Sequence, residues 1–584
     1  MTSDRGTTLD AIGLEVLWNR LISVCNEQAA ALIRTSFSTV LRESEDLSAG
    51  VFDARGNMIA QSVTGTPGHI NSMATSMRHF LRVFPTEELV PADILITNDP
   101  WFTSGQLNDL TIVTPVFLGE RVVAFFGNTC HAADIGGRGL AADARDVYEE
   151  GLAIPIMKLY ERGEPNRDLF ALIEENVRTP DVILGDIHAQ VACNDVGGRR
   201  LLEFMDDFGL ETIEDVSDQI LDRSEAAMRD AFRAMPDGIY ENETFSDGFL
   251  EDDPIRLACA IEVADDSIVV DFDGTSPESK LGINVVLNYT LAYTTFCFKA
   301  AVNPEVPNNE GSFRPVEVRA PPGCILNAQR PAPVAGRHII GHLVPNLLFG
   351  ALTKIVPEQV TAEGAAGIWI SQMRGFDERG QFTFALFSCG GTGARPNKDG
   401  LGNTGFPSGV AGIPAEVVET VSPLILHRRE IRQDSGGPGT FRGGVGQTMR
   451  VGLLSASDWI VSSQADRVRF PPRGYLGGAD GAKGDFWLSD GSHVDPKLQR
   501  RLPPEAEIFL SLPGGGGYYP PLERDPDAVL QDVVEGYVSI EAAERDYGVV
   551  IRRLKDVEKL IHLPEDYDLD LAATQRLRNE RACA

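Results

Sequence analysis

The chain is 584 residues long, beyond the roughly 250–300 residues at which a single hydrophobic core stops growing, so several domains or one multi-layered body are expected. Hydrophobic residues make up 43% and charged residues 23% of the sequence, which excludes disorder as the main state. Acidic residues outnumber basic ones by 85 to 52, giving a formal net charge of −33. That charge repels phosphate backbones and anionic lipids, so neither nucleic acid nor a membrane is an expected partner, although it can equally serve solubility alone.

The eight cysteines are scattered and form no CxxC pair, which argues against both a zinc ribbon and a disulfide framework. We expect most of them to be small buried residues in a reducing compartment. Residues 1–18 contain no apolar signal core, and no stretch of the sequence reaches the ~18 apolar residues that a membrane span needs. The sequence therefore predicts a cytoplasmic protein.

The first predicted element is a helix over 9–37, where apolar residues recur every three or four positions. An extended stretch over 47–52 leads into Asp53-Ala54-Arg55-Gly56, a tetrad typical of a hairpin turn, and a return strand follows over 57–61. Three more strands are predicted, at 94–97, 110–116 and 121–128. The loops between them are rich in Asn, Asp, Pro and Gly, and such loops often carry functional side chains.

The second half of the chain is predicted to be richer in strands. An amphipathic helix over 216–235 precedes strands over 256–263 and 267–272, and short helices are predicted over 525–530 and 540–547. Glycine clusters lie beyond residue 380, at 390–393, 436–439, 443–446 and 514–517. None has the GxxxxGK[ST] spacing of a P-loop, and we interpret them as tight turns in a β-rich body.

These patterns predict a mixed α/β fold, a large body of several layers. The expected parts are an N-terminal α/β part over 1–235 that carries the site, a central β-rich part over 236–395, and a glycine-rich β part with C-terminal helices over 396–584.

Polar residues suited to catalysis concentrate between Asp46 and Asp134. They are Asp46, His69, Gln106, Asp109, His131 and Asp134. Carboxylates and imidazoles that converge from strand ends could hold a divalent metal around one pocket. A lone histidine is more often a hydrogen-bonded interior residue, so the hypothesis depends on the whole set facing one cavity.

A second cluster places one cation and two imidazoles within six residues: Arg337, His338 and His342. Such a group could bind an anionic substrate or intermediate. The same residues would equally suit the polar first turn of a helix. A serine or cysteine nucleophile is not indicated, because the sequence has neither a GxSxG elbow nor a recognisable Cys–His pattern.

Motifs in a fixed order cover nearly the whole chain. They lie at 42–48, 52–56, 98–100, 105–109, 131–137, 393–396, 399–400, 414–416, 434–439, 441–444 and 513–517. Together they resemble the hydantoinase B / 5-oxoprolinase / acetone carboxylase family. The resemblance implies a hetero-oligomer in which a hydantoinase-A-type ATPase subunit uses ATP to phosphorylate the substrate or bicarbonate. This chain, in which we identify no nucleotide-binding loop, would then complete the reaction.

The resemblance also implies site residues. In metal-containing relatives the ligands correspond to Asp46, Gln106, Asp109 and His131 of this chain, with Asp134 and His69 nearby as supporting or substrate-contact residues. Gln106 stands where those relatives carry histidine, and an amide oxygen is the poorer ligand for Zn, Mn or Fe. A divalent metal would therefore bind with lower affinity or be absent, in which case Asp109 or His131 acts as a general base.

Three hypotheses for the reaction follow. Carboxylation of a small ketone needs charge placement and water exclusion but no metal, so Gln106 favours a biotin-independent carboxylase similar to acetophenone or acetone carboxylase, with bicarbonate as co-substrate. The alternative is ATP-dependent hydrolysis of a cyclic amide such as a hydantoin, a lactam or 5-oxoproline. The third hypothesis is a non-catalytic scaffold role.

Overall fold

The computed structural model describes residues 11–554 and 562–582. Within them the helices are α1 Ala11–Thr35, α2 Thr39–Arg42, α3 Pro67–Val83, α4 Arg167–Asn176, α5 Pro180–Asp207, α6 Glu214–Arg233, α7 Leu287–Val302, α8 Arg337–Gly341, α9 Leu343–Leu352, α10 Ala415–Val421, α11 Pro526–Val534, α12 Ile540–Tyr547 and α13 Leu571–Ala582. The strands are β1 Leu47–Asp53, β2 Met58–Gln61, β3 Ile94–Thr97, β4 Asp109–Leu118, β5 Arg121–His131, β6 Met157–Glu161, β7 Glu164–Pro165, β8 Gly238–Ser246, β9 Ile255–Ala264, β10 Ser267–Asp271, β11 Val316–Arg319, β12 Trp369–Asp377, β13 Gly380–Ser388, β14 Leu424–Ile431, β15 Gln447–Leu453, β16 Trp459–Gln464, β17 Asp485–Leu488, β18 Arg500–Leu502, β19 Ile508–Ser511, β20 Ile551–Arg553 and β21 Tyr567–Leu569.

The fold is the mixed α/β, multi-sheet body that the sequence predicts. Helices α1, α6, α11 and α12, the β1–β2 hairpin and strands β3, β4, β5, β9 and β10 all lie where hydrophobic periodicity indicates them. At the hairpin turn Gly56 has a φ of +86°, which an L side chain adopts only with strain, and its N–H donates to the carbonyl of Asp53 at 3.0 Å.

The largest sheet has seven strands in the order β2-β1-β5-β4-β3-β6-β7, with every neighbouring pair antiparallel. Successive residues of a strand face opposite sides, so Phe126 packs with α1, α5 and α6 while Phe125 packs with α3. Helix α7 lies behind α3, where Asn71 donates to the carbonyl of Ala292 at 3.2 Å. The sheet is thus buried between two helical layers.

Strand register brings three of the candidate residues into one row at an end of this sheet. Asp109 is the first residue of β4 and pairs directly with His131, the last residue of β5. Residues that oppose each other on neighbouring strands project from the same face. The backbone N–H of His131 in turn donates to the carbonyl of Asp46, immediately before β1, at 3.2 Å. The chain therefore aligns residues 46, 131 and 109 although up to 85 positions separate them.

Three four-stranded sheets follow, in the orders β11-β10-β9-β8, β13-β12-β16-β18 and β14-β15-β19-β17. The last two share one hydrophobic core that includes Trp369, Met449 and Trp459. Strands β12 and β13 precede residue 395 and strands β16 and β18 follow it, so one sheet combines chain from the predicted central and C-terminal parts. The three-part division of the chain stays a prediction.

The glycine clusters form a bundle of closely packed backbone rather than tight turns. Its central segment is Gly514–Gly517, whose four consecutive N–H groups donate to the carbonyls of four separate neighbours. These acceptors are Ala482, Gly444, Glu363 and Ala479, at 2.8–3.1 Å. A Cβ on Gly515 would lie 1.8 Å from the carbonyl oxygen of Thr392, and one on Gly514 would lie 1.8 Å from that of Ser435.

The turn interpretation of these clusters was therefore wrong. None of the four glycines of 514–517 has a positive φ, so conformational freedom is not why glycine stands there. Glycine is required because any side chain would collide with a neighbouring backbone, as happens along the axis of the collagen triple helix.

Two further expectations concern the whole chain. The seven cysteines in the described residues are all buried and unpaired, which confirms the prediction that they are small interior residues. None of the described helices combines the length and the apolar character needed to cross a bilayer.

We predict that Gly515→Ala lowers the free energy of unfolding by at least about 3 kcal/mol, because the new methyl group overlaps a backbone carbonyl that cannot move away. Gly367→Ala is the matched control, since its Cβ meets only ordinary contacts of 3.8 Å or more. Urea denaturation of both variants measures the effect. Equal stability of the two would contradict the packing explanation.

Candidate active site

The candidate site is built around the carboxylate of Asp109, which is completely buried. Its Oδ2 accepts hydrogen bonds from Ser104 Oγ at 2.7 Å and from Arg337 Nη2 at 2.5 Å, and lies 3.2 Å from His69 Nε2. Burial alone would raise the pKa of Asp109, but Arg337 and then His69 outweigh it and hold that pKa well below the ordinary value. The carboxylate is therefore ionised and fully paired.

Gln106 connects Asp109 to His131. Its Nε2 lies 2.7 Å from Asp109 Oδ1 and 2.8 Å from His131 Nδ1. The same Nδ1 lies 3.2 Å from Asp109 Oδ1, so it faces an amide nitrogen and a carboxylate oxygen at once. The other ring nitrogen, Nε2, is on the side of the ring away from Gln106.

Arg337 is the first residue of α8 and is 3% exposed. Besides Asp109, its guanidinium contacts the carbonyl of Ser104 through Nε and lies 4.1 Å from the centre of the Tyr289 ring. Gly105 makes this approach possible, because its φ is +93° and a Cβ there would lie 2.7 Å from Arg337 Cδ. The backbone of the loop and an aromatic ring together fix the cation.

Asp46 and His69 complete the charged part of the site. Thr66, the residue before α3, donates from Oγ1 to Asp46 Oδ1 at 3.2 Å, and His69 Nδ1 lies 3.7 Å from the same oxygen. His69 lies in the first turn of α3, which begins with a proline at its first position. His69 therefore lies between the two carboxylates of the site, Asp46 and Asp109, and its Nδ1 has no hydrogen-bond partner among the described residues.

His338 and His342 lie one turn apart on α8 and its C-cap, with ring centres 5.6 Å apart. Burial and then the charge of Arg337 lower the pKa of His338 to about 3, so its ring is neutral at physiological pH. The ring bonds to the backbone of Ile368, and its Nε2 has no hydrogen-bond partner among the described residues. His342 is tied to the hydroxyl of Tyr289 at 3.2 Å.

These side chains surround one small cavity. It has about 20 Å³ of room for the centre of a water molecule, which is enough for about one water. Its polar lining includes Asp46, His69, Gln106, His131, Arg337 and His338, and the lining from the segment around the start of β12 and the loop after β13 consists of Ile368, Ile370, Ser408 and Val410. The site thus lies between the seven-stranded sheet and β12 with the loop after β13.

Eight of the nine residues proposed from the sequence meet at this cavity or at the carboxylate beneath it. They are Asp46, His69, Gln106, Asp109, His131, Arg337, His338 and His342, and Asp134 is the exception. The proposal that Arg337 binds substrate needs qualification, because its guanidinium is already paired with Asp109. The helix-start alternative for this cluster is also correct, since α8 begins at Arg337.

Asp134 does not face the cavity, contrary to its suggested catalytic role. Its carboxylate accepts from Arg178 Nη1 at 2.6 Å and from the backbone N–H groups of Arg178 and Gly136. These contacts hold the loop after β5 against the start of α5. Its place in the motif at 131–137 is therefore explained by loop structure.

Sequence reasoning missed Ser104, Thr66 and Tyr289. Ser104 adjoins the motif at 105–109, and Thr66 lies three positions before His69, so their neighbourhood was a usable indication. Tyr289 lies in the apolar helix α7, where nothing in the pattern distinguishes it from a core residue. The sequence also did not predict that hydrophobic residues around the start of β12 line the site, because only tertiary packing brings them there.

The residues present do not fit a divalent metal ion. Both oxygens of Asp109 and Nδ1 of His131 already have hydrogen-bond partners. Gln106 directs its amide nitrogen, which cannot be a ligand, toward those atoms. Across the described ranges, no group of three or more His, Cys, Asp or Glu side chains is arranged to hold a metal.

Glu150 anchors the loop that leads into α8. Its Oε1 accepts from the backbone N–H groups of Val334 and Ala335 at 2.5 and 2.8 Å. Burial is the main cause that raises the pKa of Glu150 to about 8, and the nearby charge of Asp146 adds to it. The folded protein therefore holds this carboxyl largely protonated at neutral pH.

The first prediction for the site concerns the buried ion pair. Asp109→Asn leaves the guanidinium of Arg337 without its carboxylate, and we expect a loss of about 3–5 kcal/mol in unfolding free energy. Asp99→Asn is the control, because Asp99 pairs with the 44%-exposed Arg330 and should cost no more than about 1 kcal/mol. Urea denaturation compares them, and a mild Asp109→Asn would show that the pair is not desolvated.

The second prediction concerns pH. Because the folded pKa of Glu150 is raised above its unfolded value, its contribution to stability is complete below that unfolded value and is lost as pH rises through about 8. Glu150→Gln keeps the accepting oxygen and cannot ionise, so we expect its melting temperature to exceed that of the natural protein at pH 9 but not at pH 5. A constant difference between the two proteins across this range would contradict the assignment.

Comparison with known proteins places the chain in a family. The Hydantoinase B/oxoprolinase family matches residues 10–521. The B subunit of a putative D-/L-hydantoinase from Pseudomonas sp. strain NS671 is 31% identical over 576 residues, covering 94% of this chain and 97% of that protein. The beta subunit of caprolactamase from Pseudomonas jessenii is 31% identical over 592 residues, covering 93% and 97%.

Solved structures agree. ATP-dependent caprolactamase from P. jessenii superposes with a TM-score of 0.87 at 28% identity, covering 98% of this chain and all of that one. A nucleotide-free acetone carboxylase superposes with a TM-score of 0.84 at 20% identity, covering 97% and 83%, which is a likeness of fold. The family match, the two similar subunits and the motifs along the sequence agree, and the chain belongs to the hydantoinase B/oxoprolinase family.

Proposed function

We propose that this chain is the B-type subunit of an ATP-dependent enzyme that hydrolyses a cyclic amide, and that a hydantoinase-A-type ATPase is its partner. Two relatives with more than 30% identity over most of both chains are named for a hydantoin and for caprolactam, and both named compounds are cyclic amides. Both relatives are also named as the B or beta subunit of their enzyme, which supports a hetero-oligomer.

The observation that carries the proposal is the cavity itself. It has room for about one water molecule, and its lining includes His131 and His338, whose Nε2 has no hydrogen-bond partner among the described residues. A water there that donates to His338 Nε2 would be oriented by the protein, with a lone pair left for attack. Hydrolysis needs such a water, whereas carboxylation needs water to be excluded.

In the proposed sequence the partner ATPase transfers the γ-phosphoryl group of ATP to the amide oxygen. Water then adds to the activated carbon, the C–N bond breaks, and the nitrogen leaves as an amine after taking up a proton. A second water hydrolyses the resulting acyl phosphate to a carboxylate and phosphate. The balance is one cyclic amide, one ATP and two waters giving one ring-opened carboxylic acid, ADP and phosphate.

The side chains divide the work as follows. His338, which its lowered pKa keeps neutral, accepts a hydrogen bond from the attacking water, and His131 relays a proton from that water to the departing nitrogen. Arg337 stabilises negative charge that develops on the substrate oxygens. Asp109 touches none of the reacting atoms in this scheme, because it is buried beneath Gln106, His131 and Arg337 and holds them in position.

The sequence had favoured ketone carboxylation because Gln106 weakens a metal site. We propose hydrolysis in its place, since the carboxylase likeness is one of fold while the amidohydrolase relatives are similar in sequence. The scaffold hypothesis is less well supported. Burying two carboxylates and a guanidinium lowers the free energy of unfolding, and a scaffold role does not require these groups.

We predict that the full chain, purified together with its A-type ATPase partner, opens a cyclic amide in an ATP-dependent reaction that needs no bicarbonate. Hydantoin, 5-oxoproline and caprolactam are incubated separately with ATP and Mg²⁺, and the ring-opened product and ADP are measured. The isolated chain should hydrolyse no ATP. Turnover of acetone or acetophenone that requires bicarbonate, with no reaction of any cyclic amide, would overturn the proposal.

His338→Leu tests the assignment of the water-binding group within the same assay. Loss of the acceptor nitrogen leaves the water without its fixed position, so kcat should fall by about 10²-fold or more. His427→Leu is the control, because His427 lies on β14 beside Glu507 and outside the cavity. Full activity of the His338→Leu complex would favour a scaffold role for this site.

A further inference from the structure

Two buried carboxylates in one site require compensating charge. Asp46 is 7% exposed and Asp109 is not exposed at all, and desolvated anions persist only beside compensating cations. Arg337 is the permanent cation among the cavity-lining residues, since a guanidinium does not lose its proton in proteins. It contacts Asp109 directly, and its charge also acts on Asp46.

Both oxygens of Asp109 already accept hydrogen bonds, so a metal ion would compete with these donors. Oδ2 faces Ser104 and Arg337, and Oδ1 faces the amide nitrogen of Gln106. A metal could enter only if these donors withdrew. Arg337 cannot do so easily, because Tyr289 covers its guanidinium and the carbonyl of Ser104 holds its Nε.

The orientation of Gln106 is fixed by the same network. Rotating the amide by 180° would place Oε1 2.7 Å from the carboxylate oxygen of Asp109, two acceptors with no proton between them. As placed, Nε2 faces both Asp109 and His131, so Gln106 offers the position between them a donor and not a ligand oxygen.

We propose that Arg337 is the built-in cation of this site and that the site functions without a resident divalent metal. The guanidinium neutralises Asp109, and as it lines the cavity it also offers N–H donors to an anionic group of the substrate. A phosphorylated or oxyanionic intermediate has the matching chemistry. This inference concerns the cation alone and holds whether the reaction is hydrolysis or carboxylation.

The test measures metal, not turnover. The full-length chain is expressed in medium supplemented with Zn²⁺, Mn²⁺ and Fe²⁺, and its metal content is determined after gel filtration; we expect less than about 0.1 equivalent. Addition of EDTA should leave the melting temperature unchanged. About one equivalent of metal in the natural protein, removed by EDTA with a fall in melting temperature, would overturn the proposal without touching the proposed reaction.

Variants test the role of the guanidinium. Gln106→His with Arg337→Asn supplies an imidazole and removes the competing cation, so we expect its affinity for Co²⁺, followed by visible absorption, to rise by about 100-fold or more. Gln106→His alone is the matched control and should gain little, because Arg337 remains. A single variant that binds Co²⁺ as tightly as the double variant would refute the role given to Arg337. If the double variant does not fold, the metal content and EDTA response of the natural protein decide.

Discussion

The arrangement of the site depends on one constraint, that the carboxylate of Asp109 is held where no water reaches it. A buried anion must find compensation from fixed groups, and here it comes from Arg337, His69, Gln106 and Ser104. Those groups belong to three separate stretches of the chain. Meeting the electrostatic need of one side chain therefore fixes the relative positions of α3, α8 and the loop before β4.

Much of this could be predicted from the sequence where the physics is local. Alternating and helical hydrophobic patterns located most elements of the N-terminal sheet, and a turn that needs positive φ located Gly56. The candidate residues were found because polar side chains at strand ends are unusual in a hydrophobic pattern. The register that aligns residues 46, 131 and 109 follows from strand pairing, which no single segment encodes.

What sequence reasoning did not give were consequences of packing between distant segments. In the sequence Asp134 stands close to His131, as a catalytic residue could. Only its contact with Arg178 shows that it stabilises the loop after β5. The pairing of Arg337 with Asp109 could not be predicted either, since the two residues are 228 positions apart. In the sequence alone, the glycine clusters resemble turns. Glycine is required there because several backbone segments pack side by side, and the sequence does not show that packing.

The position of the glycine bundle in the sequence also determines the order in which its segments are synthesised. Gly514–Gly517 is the central segment of the bundle. It leaves the ribosome after the segments around residues 363, 444 and 480 that surround it. Until Gly514–Gly517 has been synthesised, the carbonyls of those earlier segments lack the N–H groups that they bind in the folded protein. Since Ile370 of β12 lines the candidate cavity, a nascent chain interrupted before residue 514 would contain every candidate site residue and still lack the central segment of the bundle.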